Sequence, residues 1–173
     1  MRSSQTKKLC LAAVLCAVAV AGSLLSFPIA GSKCAPVQHM VNILCAVLLG
    51  PGYGVGAAFC ASLIRNLLGL GTLVAFPGSM FGALLCGLAY RKSRNIPFTL
   101  AAEVFGTAVL GGLCAYPVAI LLMGKQAGEI AFYAYIIPFF ISTAAGAVLS
   151  GILLGTMKRA GILEKTMSEV SSC

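Results

Sequence analysis

The 173-residue chain contains no aspartate, four glutamates and a single histidine, and only 9% of its residues are charged. Those shortages remove whole classes of chemistry. Without aspartate there is no paired-aspartate acid–base site, and neither an H-E-x-x-H zinc motif nor a G-x-S-x-G nucleophile turn occurs. One histidine and no C-x-x-C pair leave little from which to build a metal centre. A phosphate-cradling P-loop is missing as well. Eight cysteines would suggest a disulfide framework in a secreted chain, but Cys10, Cys16, Cys45, Cys60, Cys86 and Cys114 lie inside apolar runs, where they serve as small hydrophobes. Cys34 and Cys173 fall on opposite sides of the expected topology and do not pair.

What the chain has in abundance is apolar sequence. It is 60% hydrophobic, with a mean hydropathy of +1.00, which excludes an ordinary soluble domain and predicts an integral membrane protein. Cut at glycine, proline and charge clusters, the apolar runs number six, at roughly 9–27, 37–49, 53–70, 76–90, 97–123 and 130–157. The expectation is one all-α domain, a six-helix transmembrane bundle over 1–173, its second and fourth spans short. The first run begins basic and has small residues at Ala30 and Gly31, like a secretory signal. Its apolar core is longer than such signals carry, and removing it would break the even span count, so it stays as the first helix.

Positive charge sets the orientation. Arg2, Lys7 and Lys8 precede the first run, Arg91, Lys92 and Arg94 follow the fourth, and Lys158, Arg159 and Lys165 follow the sixth. Six crossings put all three clusters on one side, with both termini cytoplasmic, and leave Lys33 and Lys125, with Glu129 nearby, on the other. The net charge of +8 is then a topology signal and an affinity for anionic lipid, with no nucleic-acid partner implied.

Two runs carry strips of small residues. Ala13, Ala17 and Ala21 recur every fourth residue on the first helix; Ala147, Gly151 and Gly155 do so on the sixth, beside Ser142, Gly146 and Ser150. Such strips let a second backbone approach closely, within the bundle or from another protein. Turns are expected at 29–36, at 69–78 and at Gly50–Gly54, and a helix break at Tyr116–Pro117.

The polar residues that remain are concentrated. Lys33, Gln38, His39 and Asn42 fall in the first outer loop and the start of the second run, and Arg65 and Asn66 in the outer half of the third. Thr72, Phe76 and Ser79 fall in the next outer loop and the start of the fourth, and Tyr116, Tyr133 and Tyr135 near the outer ends of the last two. Polar groups at membrane depth are costly and mark function, and a mostly apolar pocket with a few oriented polar groups suits a small molecule. Arg65 must find a partner: an ion pair with Glu103, loop carbonyls, or a ligand. Glu103, counted along the fifth run, lies deeper than Arg65 and matches it only partly. His39 and Asn42, three apart, share a helix face. Ser79 with His39 as nucleophile and base lacks an oxyanion setting, so no enzyme is expected. A channel or facilitator lined by the same groups is the alternative to a binding subunit.

The segments GSKCAPVQHMVN, LLGPGYG, LIRNLLGLGTLVAFPGSMFGALL and YR, with the alanine strip on the first helix, resemble the substrate-binding S components of energy-coupling-factor vitamin transporters. The likeness is closest to the ThiW group, assigned to the thiazole precursor of thiamine, and is strongest from Gly31 to Arg91. It implies a subunit of a prokaryotic plasma membrane that captures hydroxyethylthiazole from outside. Transport would need a transmembrane coupling subunit and two ATPases, with ATP used by those partners and no cofactor in this chain. Ala13, Ala17 and Ala21 would be the docking face for the coupling subunit. Lys33, Gln38, His39, Asn42, Ser79, Tyr116, Tyr133 and Tyr135 would surround the ligand, with Phe76 among its walls. Arg65 and Asn66 would either touch the ligand or support the residues that do. A neutral ring with a hydroxyl tail asks for an apolar slot and two or three hydrogen bonds, while the basic residues leave room for a phosphorylated form.

Overall fold

The structure is a computed structural model describing residues 2–29, 32–126, 128 and 130–171. Ala30, Gly31, Glu129 and Cys173 lie outside the described residues. Helix α1 (Arg2–Ala21) runs into a 3-10 turn (Gly22–Leu25) and an antiparallel hairpin of β1 (Phe27–Ile29) and β2 (Ser32–Cys34), in which Phe27 faces Cys34. Then follow α2 (Pro36–Leu48), α3 (Pro51–Leu67), α4 (Ala75–Ser93), α5 (Ile96–Met123), α6 (Ile136–Arg159) and α7 (Ile162–Ser171).

The chain is all-α apart from the hairpin, and the expected count of six helices is corrected to seven among the described residues. Each apolar run holds one helix; α7 is an amphipathic addition beyond them. Three helices are long and apolar enough to cross a membrane, Ser4–Leu25, Ile96–Met123 and Ile136–Arg159, and Pro36–Leu48 is apolar but shorter.

The helix boundaries follow from local chemistry. Pro36 and Pro51 sit in the first turns of α2 and α3, where a missing N–H costs nothing. Between those helices Gly50 takes φ +91°, which lets two residues reverse the chain. The Asn95 side chain accepts the Phe98 N–H at 3.3 Å and starts α5. Pro117, expected to break the helix, does not: α5 continues through it, and the irregularity lies upstream, where Gly106–Gly111 widens into a π-helical turn. Such turns cluster at functional sites.

Helix α4 is central, packed against α2, α3 and α5. Its approach to α5 depends on glycine. A Cβ on Gly111 would lie 2.4 Å from the Cα of Gly78, and one on Gly82 would lie 2.1 Å from the Thr107 hydroxyl. On α6 the strip of Ser142, Gly146 and Ser150 faces α2: the Ala35 N–H donates to Ser142 Oγ at 2.9 Å, and a Cβ on Gly146 would sit 2.6 Å from the Pro36 carbonyl oxygen. On α1 the packing face is Ala12, Cys16 and Ala19, all buried, whereas Ala13, Ala17 and Ala21 are exposed.

Hydrogen bonds identify the two ends of the bundle. At one end the hairpin meets the loop after α3 and the start of α6, through Lys33 Nζ to the Gly69 carbonyl at 2.9 Å and Cys34 Sγ to the Pro138 carbonyl at 3.3 Å. At the other, α7 folds back against the start of α1 and the end of α4, with Ser4 Oγ donating to the Val170 carbonyl at 3.1 Å and Tyr90 OH to Met167 Sδ at 3.7 Å.

Candidate functional site

Beneath the hairpin, α2 turns two amides and one imidazole into the bundle: Gln38, Asn42 and His39 are all buried. An apolar helix places such groups inward only where partners wait. The first partner is Glu103, fully buried on α5. Its Oε1 accepts Asn42 Nδ2 at 3.1 Å and Thr107 Oγ1 at 3.3 Å, so it is also the acceptor for His39 Nδ1 at 3.1 Å. Gly82 makes this possible, since a Cβ there would come within 2.7 Å of the same oxygen. Asn42 Nδ2 also reaches the Ser79 carbonyl at 3.2 Å, tying α4 to the cluster.

The second partner set runs through Gln38. The Arg65 guanidinium donates through Nη1 to Gln38 Oε1, and Gln38 Nε2 donates to Ser62 Oγ at 3.0 Å. Ser62 and Ser79 hydroxyls meet at 2.9 Å, and Ser79 Oγ also donates to the Ala75 carbonyl at 2.9 Å. Arg65 and Glu103 therefore do not form the ion pair considered from the sequence; among the described residues the carboxylate pairs with His39. Among the described residues three buried polar side-chain atoms have no hydrogen-bond partner: Arg65 Nε, Glu103 Oε2 and Thr143 Oγ1.

Both sets border one pocket at the hairpin end. Of the residues expected there, Lys33, Gln38, His39, Arg65 and Ser79 line it, joined by Thr107, Phe139 and Ser142. Asn42 lies behind His39 in the Glu103 cluster. Asn66 holds the overlying loop, its Nδ2 donating to the Ser62 carbonyl at 2.8 Å and the Thr72 carbonyl at 3.2 Å. The aromatic residues lie elsewhere. Phe76 packs on Phe59 at 5.6 Å, Tyr133 is exposed and stacks edge-on with Phe132 at 5.2 Å, and Tyr116 is half-buried on α5 and does not line the pocket. Tyr135 is buried against Phe139 at 6.1 Å, behind the wall rather than on it.

The volume of the pocket is about 20 Å³, room for roughly one water and well below the several hundred Å³ of a ligand pocket. Its lid on one side is the hairpin end, where Lys33 and Ala35 line it; Lys33 ties this lid to the loop after α3 at Gly69, and the Leu70 and Gly71 N–H groups of that loop fold back onto the Arg65 carbonyl at 2.8 and 3.0 Å. A ligand larger than water needs a wider pocket than this one.

The family model of the thiamine-precursor transporter protein (ThiW) matches residues 9–160. The chain belongs to that family. Neither the curated proteins nor the solved structures compared with it give a match. The ThiW segment spans α1 to the end of α6, so the whole polar cluster lies inside it, and α7 falls beyond. ThiW proteins are membrane transporters and not enzymes.

Two features of the site had little signal in the sequence. Glu103 as a hub was one; the only clue is a lone carboxylate at depth with Thr107 one turn on. Phe139 and Ser142 were the other, hidden in an apolar helix whose facing the composition does not reveal.

Proposed function

We propose that this chain is the substrate-binding S component of an energy-coupling-factor importer, capturing hydroxyethylthiazole from outside the cell. The observation that carries this reading is the small pocket with polar side chains in its wall at the hairpin end, within the segment that matches ThiW. Phe139 offers an apolar wall for the ring, and Gln38, Ser79 and Ser142 offer hydrogen bonds for the hydroxyethyl tail. Lys33, His39 and Arg65 complete the wall, while Asn42 and Asn66 hold those residues and the lid in place. In calorimetric titration of the purified protein, hydroxyethylthiazole binds more tightly than thiamine or the pyrimidine precursor. Absence of heat with all three would sink the assignment.

In this reading the six apolar helices cross a prokaryotic plasma membrane with both termini cytoplasmic, and the pocket faces out. Transport energy comes from a coupling subunit and two ATPases, with this chain using no cofactor. The supporting feature is on α1: Ala13 and Ala17 are exposed and, with Gly52, Gly56 and Cys60 of α3, border an apolar groove of about 580 Å³. Small residues on both walls suit close entry of a partner helix. Replacing Ala17 with tryptophan, which touches nothing in the pocket, is expected to abolish co-purification with the coupling module while leaving ligand affinity within about twofold. Unchanged assembly would remove this face from the interface.

A further inference from the structure

We propose that the ligand presents an oxyanion, a carboxylate or a phosphate monoester, to Arg65. This rests on the thiazole-uptake reading and sharpens it: the preferred cargo is an acidic derivative of the thiazole and not the neutral alcohol.

The argument is a charge inventory. Arg65 is 3% exposed, at the wall of the pocket, and among the described residues its guanidinium has one hydrogen-bond partner, the neutral carbonyl of Gln38. Its Nε, buried on the same side chain, has none. A second cation, Lys33, stands at the rim and is bound to a neutral backbone carbonyl. Among the described residues the one carboxylate in this part of the bundle, Glu103, is absent from the pocket wall; its Oε1 is taken by His39, Asn42 and Thr107, and its Oε2 has no hydrogen-bond partner there. Among the described residues, therefore, no anion answers Arg65.

Buried charges are paired, because a guanidinium withdrawn from water loses several kcal/mol that a neutral amide does not return. A neutral alcohol entering under the lid would leave that deficit in place. An oxyanion removes it: the planar fork of arginine matches carboxylate and phosphate oxygens in pairs, and Nε is one of the donors that make such pairs. Lys33, released from Gly69 as the lid opens, is placed to add a second positive contact. The cost of holding Arg65 unpaired is then the source of selectivity, since only an acidic ligand cancels it.

The test uses full-length purified protein and five probes: hydroxyethylthiazole, its phosphate monoester, a thiazole carboxylate of the same ring, and inorganic phosphate or acetate alone at constant ionic strength. At least one acidic thiazole is expected to bind about tenfold or more tightly than the alcohol, the size of one charge-assisted contact, and the tighter of the two identifies the oxyanion. Arg65→Gln brings that ratio to about one, Arg65→Lys restores part of it, and Lys92→Gln, an exposed charge at the far end, leaves it unchanged. Equal binding of alcohol and acids, or a preference that survives Arg65→Gln, overturns the proposal while the thiazole reading stands. If no thiazole binds but phosphate or acetate raises the unfolding midpoint of the wild type and not of Arg65→Gln, the thiazole reading fails and the anion site stands. If no anion, free or on a ring, has an Arg65-dependent effect, the proposal is wrong. Should Arg65→Gln fail to fold, Arg65→Lys and Lys33→Gln carry the same comparison: an acid preference untouched by both overturns it.

Discussion

Replacing Glu103 with alanine is expected to cost about 3–5 kcal/mol of stability and to abolish ligand binding. The size of the effect comes from how many groups converge on one oxygen. His39 Nδ1, Asn42 Nδ2 and Thr107 Oγ1 all donate to Glu103 Oε1, from α2 and from the next turn of α5. Truncation takes an acceptor from three buried donors, of which Asn42 Nδ2 keeps the Ser79 carbonyl, and each bond lost at a buried group carries a desolvation penalty. Binding fails for a separate reason: His39 is on the pocket wall and is oriented by the bond it loses. Glu103→Gln keeps a carbonyl oxygen in the same place and is expected to lose less than half as much. Thermal unfolding followed by circular dichroism in detergent distinguishes the two. Equal midpoints for the alanine and glutamine variants would show that Oε1 is not the hub described.

Gly111→Ala is the second large effect, of at least about 1–3 kcal/mol and with visible disturbance of the pocket. The added methyl would lie 2.4 Å from Gly78 Cα and 3.0 Å from Gly78 N, so the obstacle is backbone and no side-chain rotation relieves it. The helices α4 and α5 have to separate by about an ångström, and the separation passes directly to Gly82, Thr107 and Glu103 a turn or two away. Gly155→Ala on α6 is the internal comparison. Nothing lies within 4 Å of a Cβ there, so the same change is expected to be neutral or to stabilise by up to about 1 kcal/mol through helix propensity. A Gly111→Ala midpoint as high as that of Gly155→Ala would mean that the α4–α5 contact is looser than the structure shows.

How far the sequence discloses this molecule depends on what each residue must do. Apolar runs long enough to be helices are legible one by one, because a run reports its own burial, and six of the helices coincide with them. Helix α7 is short, alternates Glu164 and Lys165 with Leu163 and Met167, and has no run to betray it. The site was half legible. Gln38, His39 and Arg65 stand out because polar groups inside oil are expensive wherever they face. Phe76, Tyr116 and Tyr133 carried no such constraint: an aromatic ring is content on the lipid side or the inner side, so proximity to a helix end does not place it in a pocket. Glu103 was matched against Arg65 by counting depth along a regular helix. The answer depended on lateral facing, with α2 presenting His39 and Asn42 to α5, and on a widened turn at Gly106–Gly111 that regular counting does not contain. The alanine repeat on α1 and the serine–glycine repeat on α6 look alike in sequence, yet one is exposed and the other fills the bundle. Only the neighbours distinguish them.

The bond between Ser4 and the Val170 carbonyl joins residues 166 positions apart. During synthesis, then, α1 emerges first and waits for almost the whole chain before its end is covered. Until α7 arrives, the opening among α1, α2 and α4 at that end of the bundle is unsealed, and truncations or fusions near residue 170 should be felt at the start of α1. In a chain made vectorially, such a contact forms only after residue 170 has emerged, so a product that stops before α7 lacks it.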